Sequence, residues 1–453
     1  MVYPLRFREK QTVRGSREAY PEVMNNHQSY IYSLDNYQAI SEARLKLDGI
    51  TVLAGPNGCG KSTLSRWLYY LVNTISQFDK LVTDDFISRF YSVLLDLKRV
   101  SITDIHSEPL LRLNDLRKED LSIDKFADIY TKILRRYYTD FLIWNANKEI
   151  PESEKERVFS FLNIPYSSSD EENEAAIAAF YNKYMSGIKS MSDISKNIKL
   201  VHPQRELFDF ICRRYNESRK NIPSLQLSES GNDILKGDSF NNPYNLKKAI
   251  YIDTPMALGH KDIRSISWTS LQDMMVNESR KPTSEEQRII FYIKKVIDGT
   301  FSIKENIFQD KEIRYVRRDG LDITLERAAT GLNAFAYLLL LLQNGHLDSE
   351  TLLLIDEPEA HLHPQWIVEF ARVLVTIHKR LGVNIMIASH NPDMVSAISS
   401  IAKREEIEDE TNFYLAVKEN DSWQYTYKSL GTDISDIFRS FNIALSRIKE
   451  YGE

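Results

Sequence analysis

The chain has 453 residues, 42% hydrophobic and 27% charged, an ordinary balance for a folded protein with room for two or three domains. Its net charge of −6 advertises no overall basic field for nucleic acid, and two cysteines, Cys59 and Cys212, are too few for a disulfide framework or a cysteine-based zinc site. The longest apolar run, Ala334–Leu342, is too short to span a bilayer, and the start Met1–Arg6 lacks the apolar core of a secretory signal, so a cytoplasmic chain without a membrane partner is expected.

In chain order, residues 1–28 are polar and without period, and read as an extension. Tyr30–Leu34 and Ala43–Leu47 alternate like half-buried strands, Asp48-Gly49 marks a turn, and Ile50–Ala54 reads as a short buried strand. Gly55-Pro56-Asn57-Gly58-Cys59-Gly60-Lys61-Ser62-Thr63 follows and fits G-x-x-x-x-G-K-[ST] at every fixed position. Leu64–Leu71 reads as the helix after it. Glycines at these positions let backbone N–H groups turn inward around a phosphate chain, and the helix N-terminus adds its positive dipole end. Lys61 would reach the β- and γ-phosphates, and the Ser62 hydroxyl would ligate Mg²⁺.

Residues 76–247 read as mostly helical. Phe126, Ile129, Tyr130, Ile133, Leu134, Tyr137 and Phe141 share one helix face, and Ser167–Glu174 reads as an exposed acidic loop. No heptad is sustained, so no long coiled coil is expected. Ala249–Asp253 reads as a strand. Ser284-Glu285-Glu286-Gln287 resembles a capping box, and Glu312–Val316, a turn at Asp319-Gly320 and Leu321–Leu325 form a predicted hairpin. Ala328–Phe335 is a small-residue turn opening a helix. Its N–H groups and the Thr330 hydroxyl would suit a phosphate, and a plain N-cap at Thr330 would explain it as well.

Thr351–Asp356 is an apolar strand ending in an acid, followed by Glu357. At a strand's carboxyl end Asp356 would hold Mg²⁺, and Glu357 would be the general base for an attacking water. Asn384–Ser389 is a second buried strand, ending at His390. The spacing from Glu357 allows one helix and one strand, which brings His390 to an adjacent strand end, within reach of a γ-phosphate. His361 and His363 lack an obvious third metal ligand. Arg213-Arg214 and Arg317-Arg318 are basic clusters that read best as solvated faces.

These segments, in this order, resemble the ABC-type ATPase heads of the RecF/SMC and OLD-like classes. The resemblance makes Gly55–Thr63 the Walker A motif, Leu352–Glu357 Walker B with its catalytic glutamate, and Ser389-His390 the switch histidine. Ala329-Thr330-Gly331-Leu332 takes the place of the signature motif, departing from its usual serine-glycine-glycine form. The ABC-type resemblance would make Gln77 or Gln204 its Q-loop glutamine. Asp356–Pro364 is similar to a stretch characteristic of OLD-like and other bacterial defence ATPases.

The resemblance implies an α/β P-loop NTPase fold, an ABC-type head with a large helical insertion. The expected division is an extension at 1–28, head pieces at 29–75 and 248–453, and the insertion at 76–247. It implies ATP and Mg²⁺ as ligands, with catalytic Glu357 and His390. It also implies a homodimer or higher homo-oligomer in which Thr330-Gly331 caps the γ-phosphate of a second chain. No nuclease domain follows His390, so the chain resembles stand-alone ATPase subunits, such as those of Septu or PARIS anti-phage systems, that work with a separate nuclease or toxin. A RecF-type repair or chromosome-maintenance ATPase, contacting nucleic acid, is the alternative. A transport head would lack such an insertion. A ring-forming motor would need a helical lid where residues 411–428 look like strands.

Overall fold

Alternation in the N-terminal sequence becomes pairing. In this computed structural model, which describes residues 29–99, 121–253, 266–305, 311–360, 362–419 and 422–439, the extension at 1–28 and His361 lie outside the described residues. Strands β1 (Tyr30–Tyr37) and β2 (Ile40–Lys46) pair antiparallel, with one face buried. A turn at Gly49, φ 68°, then leads into β3 (Ile50–Ala54), which is buried throughout. Helices α1 (Lys61–Ser76) and α2 (Phe78–Arg99) follow, then α3 (Ile123–Ala146), α4 (Glu152–Phe161), α5 (Asp170–Val201) and α6 (Gln204–Tyr215).

Among the described residues between 76 and 247, helices run to Tyr215 and strands follow. β4 (Ser224–Glu229), β5 (Asn232–Lys236) and β6 (Ser239–Phe240) are strands. They extend the sheet beyond β1, with β4 pairing β1 antiparallel over six residues. Alternation in Ser224–Glu229, with every second residue buried, is the local cause. The acidic segment is also partly reassigned: Asp170–Glu172 form the first turn of α5, capped by Ser169, where negative charge meets the positive helix end.

β7 (Lys248–Ile252) re-enters the sheet, followed by α7 (Ile266–Val276) and α8 (Ser284–Val296). The capping box starts one residue earlier than the sequence suggests: Thr283 caps α8, and Glu286 reaches back to it. β8 (Gly299–Glu305), β9 (Lys311–Arg317) and β10 (Asp322–Thr324) form a separate antiparallel sheet, turning at Gly320 as expected. Helix α9 (Thr330–Gln343) is apolar all round and buried from Gly331 to Leu342. Then come β11 (Thr351–Asp356), α10 (Pro364–Leu381), β12 (Asn384–Ser389), α11 (Pro392–Arg404), β13 (Thr411–Lys418) and β14 (Tyr425–Ser429).

The large sheet has eleven strands in the order β6-β5-β4-β1-β2-β14-β13-β3-β12-β11-β7. Its block β13-β3-β12-β11-β7 is wholly parallel, and β3, β11 and β12 are buried at every position, as strands covered on both faces must be. α7 to α11 pack on one face, and α1 and α6 on the other. Helices α2 to α5 hold a third core of their own, centred on Phe86, Phe126, Tyr130, Phe141 and Phe159. The helix face read from Phe126 to Phe141 is the side of α3 that fills it.

Candidate functional site

Register sets the site. In the parallel block Ala54 pairs Ser389 and Asp356 pairs Ala388, so β3, β12 and β11 end at nearly one level. Residues 55–63, His390 and Glu357 therefore emerge together at the carboxyl edge. β12 separates β3 from β11, and α1 crosses that gap to touch both β12 and β11.

The loop's shape depends on glycine. Gly58 and Gly60 have φ of 80° and 98°, in the left-handed region. A Cβ on Gly60 would lie 2.5 Å from Ile40 Cγ1. Gly60 caps α1 without a side-chain bond, which leaves the first-turn N–H groups facing the loop. Pro56, Asn57 and Gly58 are exposed, while Gly55 and Cys59 are buried. Tyr427 of β14 supports the loop from beneath, its hydroxyl donating to Cys59 O at 3.2 Å. Lys61 is buried, and its Nζ donates to Gly55 O at 2.9 Å and Pro56 O at 3.0 Å.

Asp356 is fully buried, yet among the described residues no cation pairs with it. Its oxygens accept from Ser65 Oγ at 2.7 Å and Tyr251 OH at 2.8 Å. Burial raises its carboxyl above the usual range, and the hydroxyls of Ser65, Ser62 and Tyr251 act to lower it. Burial, with the Asp356 carboxylate beside it, also pushes the Tyr251 hydroxyl well up, so Tyr251 remains a donor. A buried carboxylate with hydroxyl neighbours and no counter-cation fits a divalent ion, and Ser62 and Asp356 would hold it.

Glu357 sits at φ 48°, an uncommon conformation for a non-glycine residue, held by its N–H to Ala388 O at 2.8 Å. Its side chain is partly exposed at the edge, 3.4 Å from His390 Nδ1. Beneath both lies buried Glu359, which accepts from Ser389 Oγ at 2.7 Å and from His390 N–H at 3.1 Å.

The sequence-predicted residues thus divide. Residues 55–63, Asp356, Glu357 and His390 share one edge. Thr330 and Gly331 do not join them within this chain: no hydrogen bond links that turn to residues 55–63 among the described residues. Thr330 is exposed at the first position of α9, and the cap is Ala329 rather than Thr330. Gln77 ends α1, a helix about 24 Å long, and so lies far from the loop. Gln204 is no nearer: it follows His202, whose ring packs on Phe78 beyond that same helix end. His363 caps α10, accepting from Gln365 N–H. Arg213, Arg317 and Arg318 each pair with an aspartate, as solvated faces do. Ser65, Tyr251, Glu359 and Tyr427 were not legible as site residues. Only the Glu357-Pro358-Glu359 spacing carried any hint.

A family model described as an AAA ATPase domain matches residues 32–395. Among solved structures, the chain is similar to SMC head domains. One, from Pyrococcus furiosus with an extended coiled coil and bound to the C-terminal domain of ScpA, shares 10% identity over 94% of this chain and 100% of that one, with a TM-score of 0.34. Another, from Thermotoga maritima, shares 10% identity over 89% and 98%, with a TM-score of 0.35. A third, bound to the C-winged helix domain of ScpA, shares 10% over 91% and 99%, with a TM-score of 0.36. At these scores the likeness is loose and bears on neither activity nor partner. No helix among the described residues is long and apolar enough to cross a membrane.

Proposed function

The chain belongs to the AAA ATPase domain family, and from that premise we propose that it binds ATP and hydrolyses it at the edge formed by residues 55–63, Asp356, Glu357 and His390. The fold is an α/β P-loop NTPase, an ABC-type head with a large helical insertion. The observation that carries the reading is the shared strand-end level of the loop, the Asp356-Glu357 pair and His390.

Each group has a role its position suits. Loop N–H groups and the start of α1 receive the phosphates, and Lys61 exchanges its bonds to Gly55 and Pro56 carbonyls for phosphate oxygens. Mg²⁺, when bound by Ser62 and Asp356, supplies charge neutralisation at the phosphates. Glu357 orients the attacking water and accepts its proton, and His390 donates a hydrogen bond toward the γ-phosphate.

Thr330-Gly331 serves a second chain. Thr351 Oγ1 contacts His346 O, so the end of α9 lies at the amino edge of β11. Fourteen residues of helix, about 21 Å, are long enough to carry its exposed N-terminus back toward the carboxyl edge, on the sheet face opposite α1. ATP would then close two heads together. The helical block, with its separate core, is the element placed to pass that change to an effector, a nuclease or toxin as the resemblance to defence ATPases suggests. DNA-stimulated turnover would instead favour the repair ATPase.

The test is Glu357→Gln. It should keep ATP affinity, lose at least about 100-fold in turnover, and elute as a dimer with ATP and Mg²⁺. Elution as a monomer would remove the two-headed model. Lys61→Ala, the control, should lose ATP binding, and unchanged affinity would sink the loop assignment.

A further inference from the structure

Glu359 is buried two residues past Glu357, and its two oxygens have unequal surroundings. Oε1 accepts both the Ser389 hydroxyl, at 2.7 Å, and the His390 N–H, at 3.1 Å. Oε2 is buried and has no hydrogen-bond partner among the described residues. His390 Nδ1 is likewise buried without a hydrogen bond among the described residues, although it lies 3.6 Å from Glu359 Oε1 and 3.4 Å from Glu357 Oε1. A carboxylate that merely tied down the end of β12 would account for Oε1 alone. Buried polar atoms left without partners are rare and call for an explanation. The ring nitrogen left over lies 3.6 Å from this carboxylate, within reach of a hydrogen bond after a slight turn of the imidazole.

We propose that Glu359 is a positioning residue: it holds the His390 ring through Nδ1–H, so that Nε2 faces the phosphate side of the edge. This rests on the role given to His390 above. Three observations converge on it. The same carboxylate grips the backbone N–H of the residue whose ring it orients. Ser389 locks the carboxylate from the strand side. The ring's other carboxylate neighbour, Glu357, is partly exposed and free to attend to water. A hydrogen bond at one imidazole nitrogen sets the tautomer and direction of the other, so loss of Glu359 would misdirect His390 without removing it. Burial raises the Glu359 carboxyl, and Ser389, the nearby N–H groups and His390 draw it back, as expected of a carboxylate kept for a local partner.

Glu359→Gln tests this, because an amide oxygen still accepts from Ser389 and His390 N–H while the negative charge beside Nδ1 is lost. Wild type, Glu359→Gln, His390→Ala and the double variant are compared in ATP turnover. The expected result is a kcat about tenfold lower for Glu359→Gln with KM within about twofold, and a double variant no slower than His390→Ala. Losses that multiply in the double variant, or an unchanged kcat in Glu359→Gln, would overturn the proposal. A second readout is independent of turnover. In the ¹⁵N-histidine-labelled chain, Glu359→Gln should move the ring signals that His390→Ala removes and leave the other histidines in place, and unmoved signals would also overturn it. A wild-type chain that neither binds nor turns over ATP would count against the ATPase reading instead, and the ring signals would still decide the role of Glu359.

Discussion

At Gly60 the backbone holds φ 98°, and the space where a side chain would begin is filled by Ile40. Alanine there meets two separate costs: left-handed backbone, about 1–2 kcal/mol, and the clash with Ile40 Cγ1 at 2.5 Å. Gly60→Ala should therefore weaken ATP binding at least about tenfold, as measured by titration calorimetry. Ile40→Ala in the same chain should recover only the clash. Full recovery would show that the loop tolerates a non-glycine backbone. The sequence pattern identified Gly60 but not Ile40, because the contact joins β2 to the loop across strands that pair elsewhere. Asp356 shows the same limit. Its place at a strand end is visible in Leu352–Glu357, whereas its donors Ser65 and Tyr251 come from α1 and β7.

Among the elements, α8 carries the most concentrated polar contact away from the site. Glu286 is fully buried and bound at both oxygens by Arg280, at 2.7 and 3.0 Å, and its Oε2 also accepts from Thr283 N–H at 2.7 Å. Burial pushes its carboxyl up, but Arg280 and the Thr283 donors outweigh it, and the group ends below the usual carboxylate range. A carboxyl depressed in the folded state adds stability above the unfolded value, about pH 4.3, and loses it as pH falls through the lower folded value. Glu286→Gln should cost about 3 kcal/mol near pH 7, and the difference in Tm from wild type should narrow below about pH 4. A gap independent of pH would mean that packing, not charge, holds this turn. The capping box was legible to within one residue. Its partner Arg280 was not, since that pair depends on how the preceding loop folds back. Similarly, β4 to β6 were missed within a helical reading, because short strands become strands here by pairing with β1.

For the whole molecule, three cores mean three units of packing. The block formed by α2 to α5 has a core of its own, and only the start of α2, at Phe78 and Val82, is buried in a core that flanks the sheet. Phe141→Ala, which removes a side chain buried within that block, should cost about 3–5 kcal/mol. Hydrogen exchange should then quicken in α3 and α5, with ATP affinity of the head unchanged within about twofold. A tenfold change in affinity would show the block to be coupled to the site without a partner.

The sequence by itself determined the chemistry-bearing positions. Gly55–Thr63 needs its glycines for backbone shape, and two apolar strands ending in Asp356 and Ser389 identify a sheet covered on both faces. These are local requirements, written at fixed spacing, and they survive without knowledge of the rest of the chain. Tertiary structure alone decided what lies between and behind them. It placed β12 between β3 and β11, added β4 to β6 to the sheet, and brought Tyr251, Tyr427 and Glu359 under the site. Strand order and register are collective choices, set by which faces can be buried together, so residues far apart in the chain become neighbours with no local pattern to announce them.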